Sequence, residues 1–504
     1  MSKKYWLVIG LVLLIIALLG CQQQPAADTS AAEAEAEAAE AEAEVAAAEA
    51  EVEAAEAEAE AAEAEAEVEA AAESDSAAGD RIEIRWFVGL GTGTNPEQRP
   101  VQDELVKQFN ESQDRINLVI EYVTNEQAPD QLKTQVAAGN PPDIIGPVGQ
   151  SGVNEFEGLF LDLEPLITET NYDWSDFDQG SIDAYRLEEG TFGIPFAIFP
   201  SMIYYNRDLF DEAGLEYPPH KYGEPYADGD PWTVAKLEEL AMQLTVDANG
   251  NDATSPDFDP ANIVQFGYHT QFTLSRGDTT ALFGAAPIVD ESGKATIPER
   301  WREGWRWYYD SIHQKHFIPN QSYLDSDLLG NDGNAFNTGN LAMAHVHLWY
   351  TCCVGNVQNW DIAAVPAYDE NGEVTVKLHA DTFRIFASTQ HPQEAFEVMT
   401  WLVGDAAGEL LQVYGGFPAR KSLREDFLKT LDERFPQGVD WQVGIDGLAY
   451  PDIPNHESNL PNYSKAFDRL QAFYDLYQSD ANLDLDAELD KLEADLQVIF
   501  DEVK

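Results

Sequence analysis

From residue 82 the apolar and polar positions begin to alternate. Ile82, Ile84, Trp86 and Val88 stand on one side of the segment IEIRWFV, the period of two expected of a strand. After a glycine-rich loop, Val101, Leu105, Val106 and Phe109 recur every three to four residues, which predicts an amphipathic helix. NLVIEYV over 117–123 repeats the strand pattern, 127–138 predicts a second helix, and the short DII after Pro142 a third strand. Strand–helix–strand order at this spacing predicts an α/β fold on an open, largely parallel sheet. Ligands of such sheets sit beyond the C-terminal ends of the strands. That rule points to the loops Gly89–Asn95 and Gly146–Ser151. Near the C-terminus, Tyr463, Phe467, Leu470 and Phe473–Tyr474 form one helical stripe, and Leu485, Leu489, Leu492, Leu496 and Ile499 a second. Both predict helices packed on a core. The aromatic group Trp301, Trp305, Trp307, Tyr308 and Tyr309 is assigned to the core on the same ground.

The pattern before residue 80 is different. Lys3 and Lys4 precede an apolar run from Tyr5 to Gly20 that ends at Cys21. A positive start, a short apolar stretch and a small residue describe a secretory signal, and the run is short of the roughly 20 residues a membrane span needs. Leu18-Leu19-Gly20-Cys21 resembles a bacterial lipobox, which implies lipidation of Cys21 after cleavage. Two acyl chains would then anchor the protein in the cell envelope, on the outer side of the cytoplasmic membrane. Residues 22–79 form an acidic Ala/Glu tether; its stretch 31–73 holds seventeen glutamates and no basic residue. Lacking Lys partners and an apolar stripe, it is a self-repelling spacer rather than a packed helix.

Composition narrows the function. The 504 residues carry 29 Lys+Arg against 91 Asp+Glu, a net charge of −62. Residues 80–504 alone keep 27 basic and 72 acidic residues, a net charge of −45. Such a surface repels nucleic acid, which is bound through Lys and Arg. Three cysteines exclude a disulfide scaffold and a multi-thiolate metal site. Hydrophobic residues at 44%, with eleven tryptophans, supply a large core, and the length suits two or three domains. The loop GLGTGTN is no dinucleotide fingerprint, because Thr94 stands where glycine is needed, nor a phosphate loop, because Gly-Lys-Ser/Thr is absent. It offers backbone groups and threonine hydroxyls, Gly91 and Thr92 among them, to a polar ligand.

Five segments, in order, carry a resemblance. They are GNPPDII (139–145), GIPFAIFPSMIYYNRDLFDEAGL (193–215), PWTVAKLEELAMQLT (231–245), AFNTGNLAMAHVHLW (335–349) and HPQEAFEVMTWLVGDAAGELLQVYGGFPARKS (391–422). Together they resemble extracellular solute-binding protein family 1, the maltose-binding-protein-like sugar-binding lipoproteins of bacterial ABC importers. The resemblance implies a type II periplasmic-binding-protein fold, two α/β lobes joined by hinge strands. Lobe one would be 80–198 plus 384–431, and lobe two 199–383 plus 432–504. It implies no enzyme and no cofactor, but a protein that captures a sugar or oligosaccharide between closing lobes and delivers it to ABC permease subunits. The same fold binding glycerol phosphate or a polyamine is the alternative. A glycoside hydrolase also stays open, since its two carboxylates need no fixed spacing.

A sugar needs aromatic planes for its C–H faces and polar groups for its hydroxyl rim. The resemblance makes Trp349 the stacking residue, places Phe199 at the lobe crossing, and puts Gly415, Gly416 and Phe417 in the loop before Pro-Ala-Arg. Gln150 and Ser151 follow the third strand and face the cleft by the sheet rule. Asp381 would accept bonds from paired hydroxyls. Arg420 is assigned a structural role.

Three features stay beside this reading. His345 and His347 share one strand face, but two imidazoles are too few for a metal unless His379 or His269 joins, so no metal is assigned. Asp247-Ala-Asn249-Gly-Asn251-Asp252 opens like a calcium loop, yet has Asp252 and Phe258 where an EF-hand wants Gly and Glu; a turn is expected. Cys352-Cys353 is either a vicinal disulfide or two free thiols.

Overall fold

The structure, a computed structural model, describes residues 81–183, 185–187, 190–272, 275–330 and 333–503. The signal segment, Cys21 and the acidic tether lie outside the described residues.

Strand β1 (Ile82–Val88) buries Ile84, Trp86 and Val88, and its neighbour Phe87 is buried on the other face. It pairs in parallel with β2 (Ile116–Tyr122) and with β3 (Ile144–Val148). The helix Arg99–Ser112, with Pro100 in its first turn, turns Leu105 and Phe109 inward; Ala128–Ala137 follows. A short hairpin of β4 (Arg186–Leu187) and β5 (Gly190–Thr191) stands apart from the main sheet. The remaining strands are β6 (Ala197–Asn206), β7 (Val246–Asp247), β8 (Ile263–Thr270), β9 (Leu341–His347), β10 (Trp360–Ala363) and β11 (Leu378–Ile385). They run in the order β2-β1-β3-β11-β6-β9-β8-β7, with β10 also on β6.

The sheet is mixed, which corrects the expectation of a largely parallel one. Among the paired strands of the described residues, β1–β2, β1–β3 and β8–β9 are parallel and the other pairs antiparallel. The centre is antiparallel, and β6 and β11 each serve two neighbourhoods. Ala197–Pro200 of β6 lies opposite Leu378–Asp381 of β11, whereas Ser201–Tyr205 lies opposite β9 and Ile203–Asn206 opposite β10. Farther along, β11 leaves β6 and pairs with β3 through Thr382–Ile385, with a register shift on the way. All ten residues of β6 are buried. An apolar run without period-two alternation reports burial but not strand direction.

The helix Glu299–His313 buries Trp301, Trp305 and Tyr308, as its stripe predicts. They share a core with Leu470 and Phe473 of Tyr463–Ser479, and with Leu489, Leu492, Leu496 and Phe500 of Leu485–Asp501. Each such side chain contributes about 1.5–3 kcal/mol on full burial. Two details differ from the predicted stripes. Phe500 rather than Ile499 is fully buried at the end of the last helix. Tyr463, only partly buried against that core, and Phe467 line a cavity.

Candidate functional site

A cavity of about 410 Å³ opens where β6 and β11 exchange partners. The structure brings Gly91, Thr92, Phe199, Trp349, Asp381, Gly415 and Gly416 to its wall, seven of the residues singled out from sequence. Phe196, Tyr414, Thr351, Cys352 and Arg434 complete much of the lining. The volume lies within the roughly 300–1,000 Å³ range of small-molecule sites.

The glycine-rich loop is held by side chains. Gln98 Oε1 accepts from the Gly93 amide at 2.9 Å, and Gln98 Nε2 donates to the Thr92 hydroxyl at 3.0 Å. Gln102 Nε2 donates to the Gly93 carbonyl at 2.6 Å, and the Tyr414 hydroxyl donates to Gln102 Oε1 at 2.9 Å. Gly91 sits so close to β3 that a Cβ would fall 2.6 Å from the Pro147 carbonyl oxygen. Opposite, Gly415 ends the helix Ala407–Tyr414 at φ +66°, and Gly416 packs on Ala197 and Leu411 with Phe199 just beyond.

Trp349 stands in the 3-10 turn Leu348–Cys352 directly after β9, half-buried. Its indole N–H donates to His379 Nδ1 at 3.1 Å, and its ring is within 13° of parallel to His379. Phe272 approaches with centroids 5.7 Å apart. Phe272 is 45% exposed and holds a left-handed backbone of φ 57°, uncommon for a bulky residue and found where a site demands it. Burial pushes the Asp381 carboxyl up to about 7, with Glu457 adding to the effect, so near neutrality it can both donate and accept.

Three sequence-selected residues fall elsewhere. Gln150 is engaged at both ends, donating to Asn154 Oδ1 at 2.8 Å and accepting from Arg384 at 2.7 Å. Phe417 is 2% exposed and packs edge-on against Phe427, while its carbonyl accepts from the Ile198 amide on β6. Ser151 lines a second cavity of about 490 Å³, with Arg276, Glu457, Tyr463 and Phe467. His379 borders both cavities. Arg420 is structural: it donates to the Val403 carbonyl and the Tyr172 hydroxyl.

The histidines are arranged differently from the sequence expectation. His345 turns to the Ser201 hydroxyl at 2.9 Å, and the buried His269 is not part of the group. His347 instead stacks on His379 with centroids 3.5 Å apart, and His379 Nε2 lies 3.1 Å from Nε2 of His456. Asp452 Oδ2 accepts from His456 Nδ1 at 2.7 Å. Burial lowers His379 to about 4 and His456 to about 3, leaving both neutral at pH 7. His456 and Glu457 lie in PNHESNL, a stretch with no periodicity. Nothing in the sequence joins that loop to β11; a lone His-Glu pair between Asn455 and Ser458 is the only signal.

The acidic loop is a turn. Asp247 accepts from the amides of Asn249, Asn251 and Asp259 and from the Asn251 side chain, which saturates its carboxylate. Burial opposes ionisation, but these donors win and hold Asp247 down to about 2. Cys352 and Cys353 are joined in a vicinal disulfide beside the first cavity.

Comparison with known proteins places this geometry. The profile of the family described as bacterial extracellular solute-binding protein matches residues 93–409. The sn-glycerol-3-phosphate-binding periplasmic protein UgpB of Brucella abortus (strain 2308) is 30% identical over 161 residues, covering 30% of this chain and 36% of that protein. The match thus spans about a third of that relative's length. Among solved structures, the ABC substrate-binding protein Lmo0181 of Listeria monocytogenes, in complex with cycloalternan, superposes with a TM-score of 0.61 at 19% identity, covering 83% of this chain and 98% of that one. The sugar-binding protein MalE of Xanthomonas citri gives a TM-score of 0.63 at 17% identity, covering 83% and 98%. These likenesses establish a periplasmic-binding-protein fold over most of the chain. With its family profile matched over 93–409, more than half its length, this chain belongs to the bacterial extracellular solute-binding proteins.

Proposed function

We propose that this protein captures a sugar or oligosaccharide between two closing α/β lobes and hands it to an ABC permease. The observation that carries the reading is the wall of the first cavity, which Trp349 and Phe199 line together with the polar Thr92, Thr351 and Asp381. Aromatic planes beside hydrogen-bonding groups suit the C–H faces and hydroxyls of a sugar. The structural relatives described as sugar-binding or cycloalternan-bound support the same choice.

In this reading the lobes are 80–198 with 384–431 and 199–383 with 432–504. The exchange of partners along β6 and β11 supports a hinge there. Ligand contacts made only when the lobes meet would shift an open–closed equilibrium toward closure. Lipidation at Cys21, with the acidic tether as spacer, would hold the binding unit near the permease. The lipobox-like sequence supports that anchor.

A second reading is a glycerol phosphate, favoured by the UgpB relative and by Arg434 on the cavity wall. Asp381 on the same wall opposes an anion in its ionised form. Titration calorimetry of the full chain with oligosaccharides and with sn-glycerol 3-phosphate separates the two. The sugar reading expects heat with saccharides alone; heat with the phosphate alone overturns it.

A further inference from the structure

We propose that His347, His379 and His456 form a binding site for a divalent transition-metal ion of borderline softness, with zinc as the reference case. One nitrogen from each ring lies within 4.8 Å of the others. The Nε2 atoms of His379 and His456 are 3.1 Å apart. Two imidazoles on a tetrahedral zinc, each at about 2.1 Å, stand about 3.4 Å apart, close to the His379–His456 separation, whereas His347, now stacked on His379 with centroids 3.5 Å apart, must turn out of that stack to bring its lone pair to the same ion.

The second observation is His347 itself. It is 1% exposed, and neither of its ring nitrogens has a hydrogen-bond partner among the described residues. A buried polar group left unpaired costs free energy and calls for a reason. Packing of three neutral rings satisfies His379 and His456 through their mutual bond but leaves His347 unpaired. A cation at the cluster uses a lone pair of His347 as well.

The surroundings are those of a metal site. Asp452 Oδ2 holds Nδ1–H of His456, which fixes the tautomer and turns the Nε2 lone pair toward the cluster. An all-imidazole set selects Zn²⁺, Co²⁺, Ni²⁺ or Cu²⁺ over Mg²⁺ and Ca²⁺, which prefer oxygen. His379 and His456 border the second cavity, which admits the ion and a water as a further ligand. Binding through His379 Nε2 puts the proton on Nδ1, where the Trp349 N–H now donates. Loading the site therefore releases Trp349 and connects the metal to the first cavity.

The test uses the untagged full chain, stripped with a chelator and dialysed against Zn²⁺ in excess Mg²⁺, which occupies surface carboxylates. The expected result is retention of about one Zn²⁺ per chain, as one three-histidine site requires. His347→Gln and His379→Gln should each weaken that affinity at least tenfold. Independently of any variant, Co²⁺ added to the unmodified chain should give the intense visible bands of a low-coordinate nitrogen site. No retained Zn²⁺, equal retention in both variants, or only the weak spectrum of octahedral Co²⁺ would overturn the proposal.

Discussion

The Trp349 indole N–H donates to His379 Nδ1 across 3.1 Å, tying the turn after β9 to strand β11. The bond fixes the plane of the indole at the wall of the first cavity, so a stacking face is set before any ligand arrives. Trp349→Ala should weaken saccharide affinity by on the order of 2 kcal/mol, about thirtyfold, as for a central aromatic anchor. Its melting temperature should stay close to the parent's, because the side chain is only half-buried. Calorimetry and a melting curve on the same sample check both halves. Unchanged affinity would remove Trp349 from the site.

Phe417 should behave in the opposite way. It is buried against Phe427 and absent from the cavity wall. Phe417→Ala should destabilise the fold by about 3–5 kcal/mol, the usual cost of emptying a buried aromatic site. Denaturant unfolding measures this. A stable Phe417→Ala protein with lost affinity would return the residue to the ligand site.

Gly91 tests the close approach of the loop to β3. An added methyl would stand 2.6 Å from the Pro147 carbonyl oxygen, so the loop must shift. Gly91→Ala should cost about 1–3 kcal/mol, as overpacking does, and lower ligand affinity through the displaced Thr92. Equal stability and affinity in the variant would contradict the packing described.

Asp381 makes a prediction about pH. Its folded-state value of about 7 lies above the roughly 3.9 of an unfolded aspartate. The contribution is therefore fully present below about pH 4 and is lost as pH rises toward 7. Asp381→Asn should match the parent near pH 4 and exceed it in melting temperature above pH 7. Because the histidines titrate in both proteins, the difference between the two curves is the quantity to read. A constant difference across that range would show that the carboxyl is not perturbed.

Much of the fold was legible in the sequence because short periodic segments report their own burial. IEIRWFV, the helix after it and the two C-terminal helices stand within a few residues of their predicted bounds. Strand direction was not legible. The uninterrupted burial of β6 gives no sign that one half pairs with β11 and the other with β9. The first cavity was largely readable, since Gly91 sits in the loop that the sheet rule points to, and Trp349 and Gly415 in segments with a family pattern. The second was not, because Phe272, His456 and Glu457 reach it from loops whose only specification is long-range contact. Phe417 shows the converse: a residue inside a matching motif can belong to the packing beneath the site.

The most direct test of the central claim is a thermal-shift screen of the full chain against mono- and oligosaccharides, polyols, glycerol phosphates and polyamines. A saccharide present at 100 times its dissociation constant should stabilise the protein by about 2.7 kcal/mol, and be recovered chemically unchanged. Stabilisation by glycerol phosphates or polyamines alone, or by nothing in the panel, would contradict the assignment of this protein as a sugar-binding transport component.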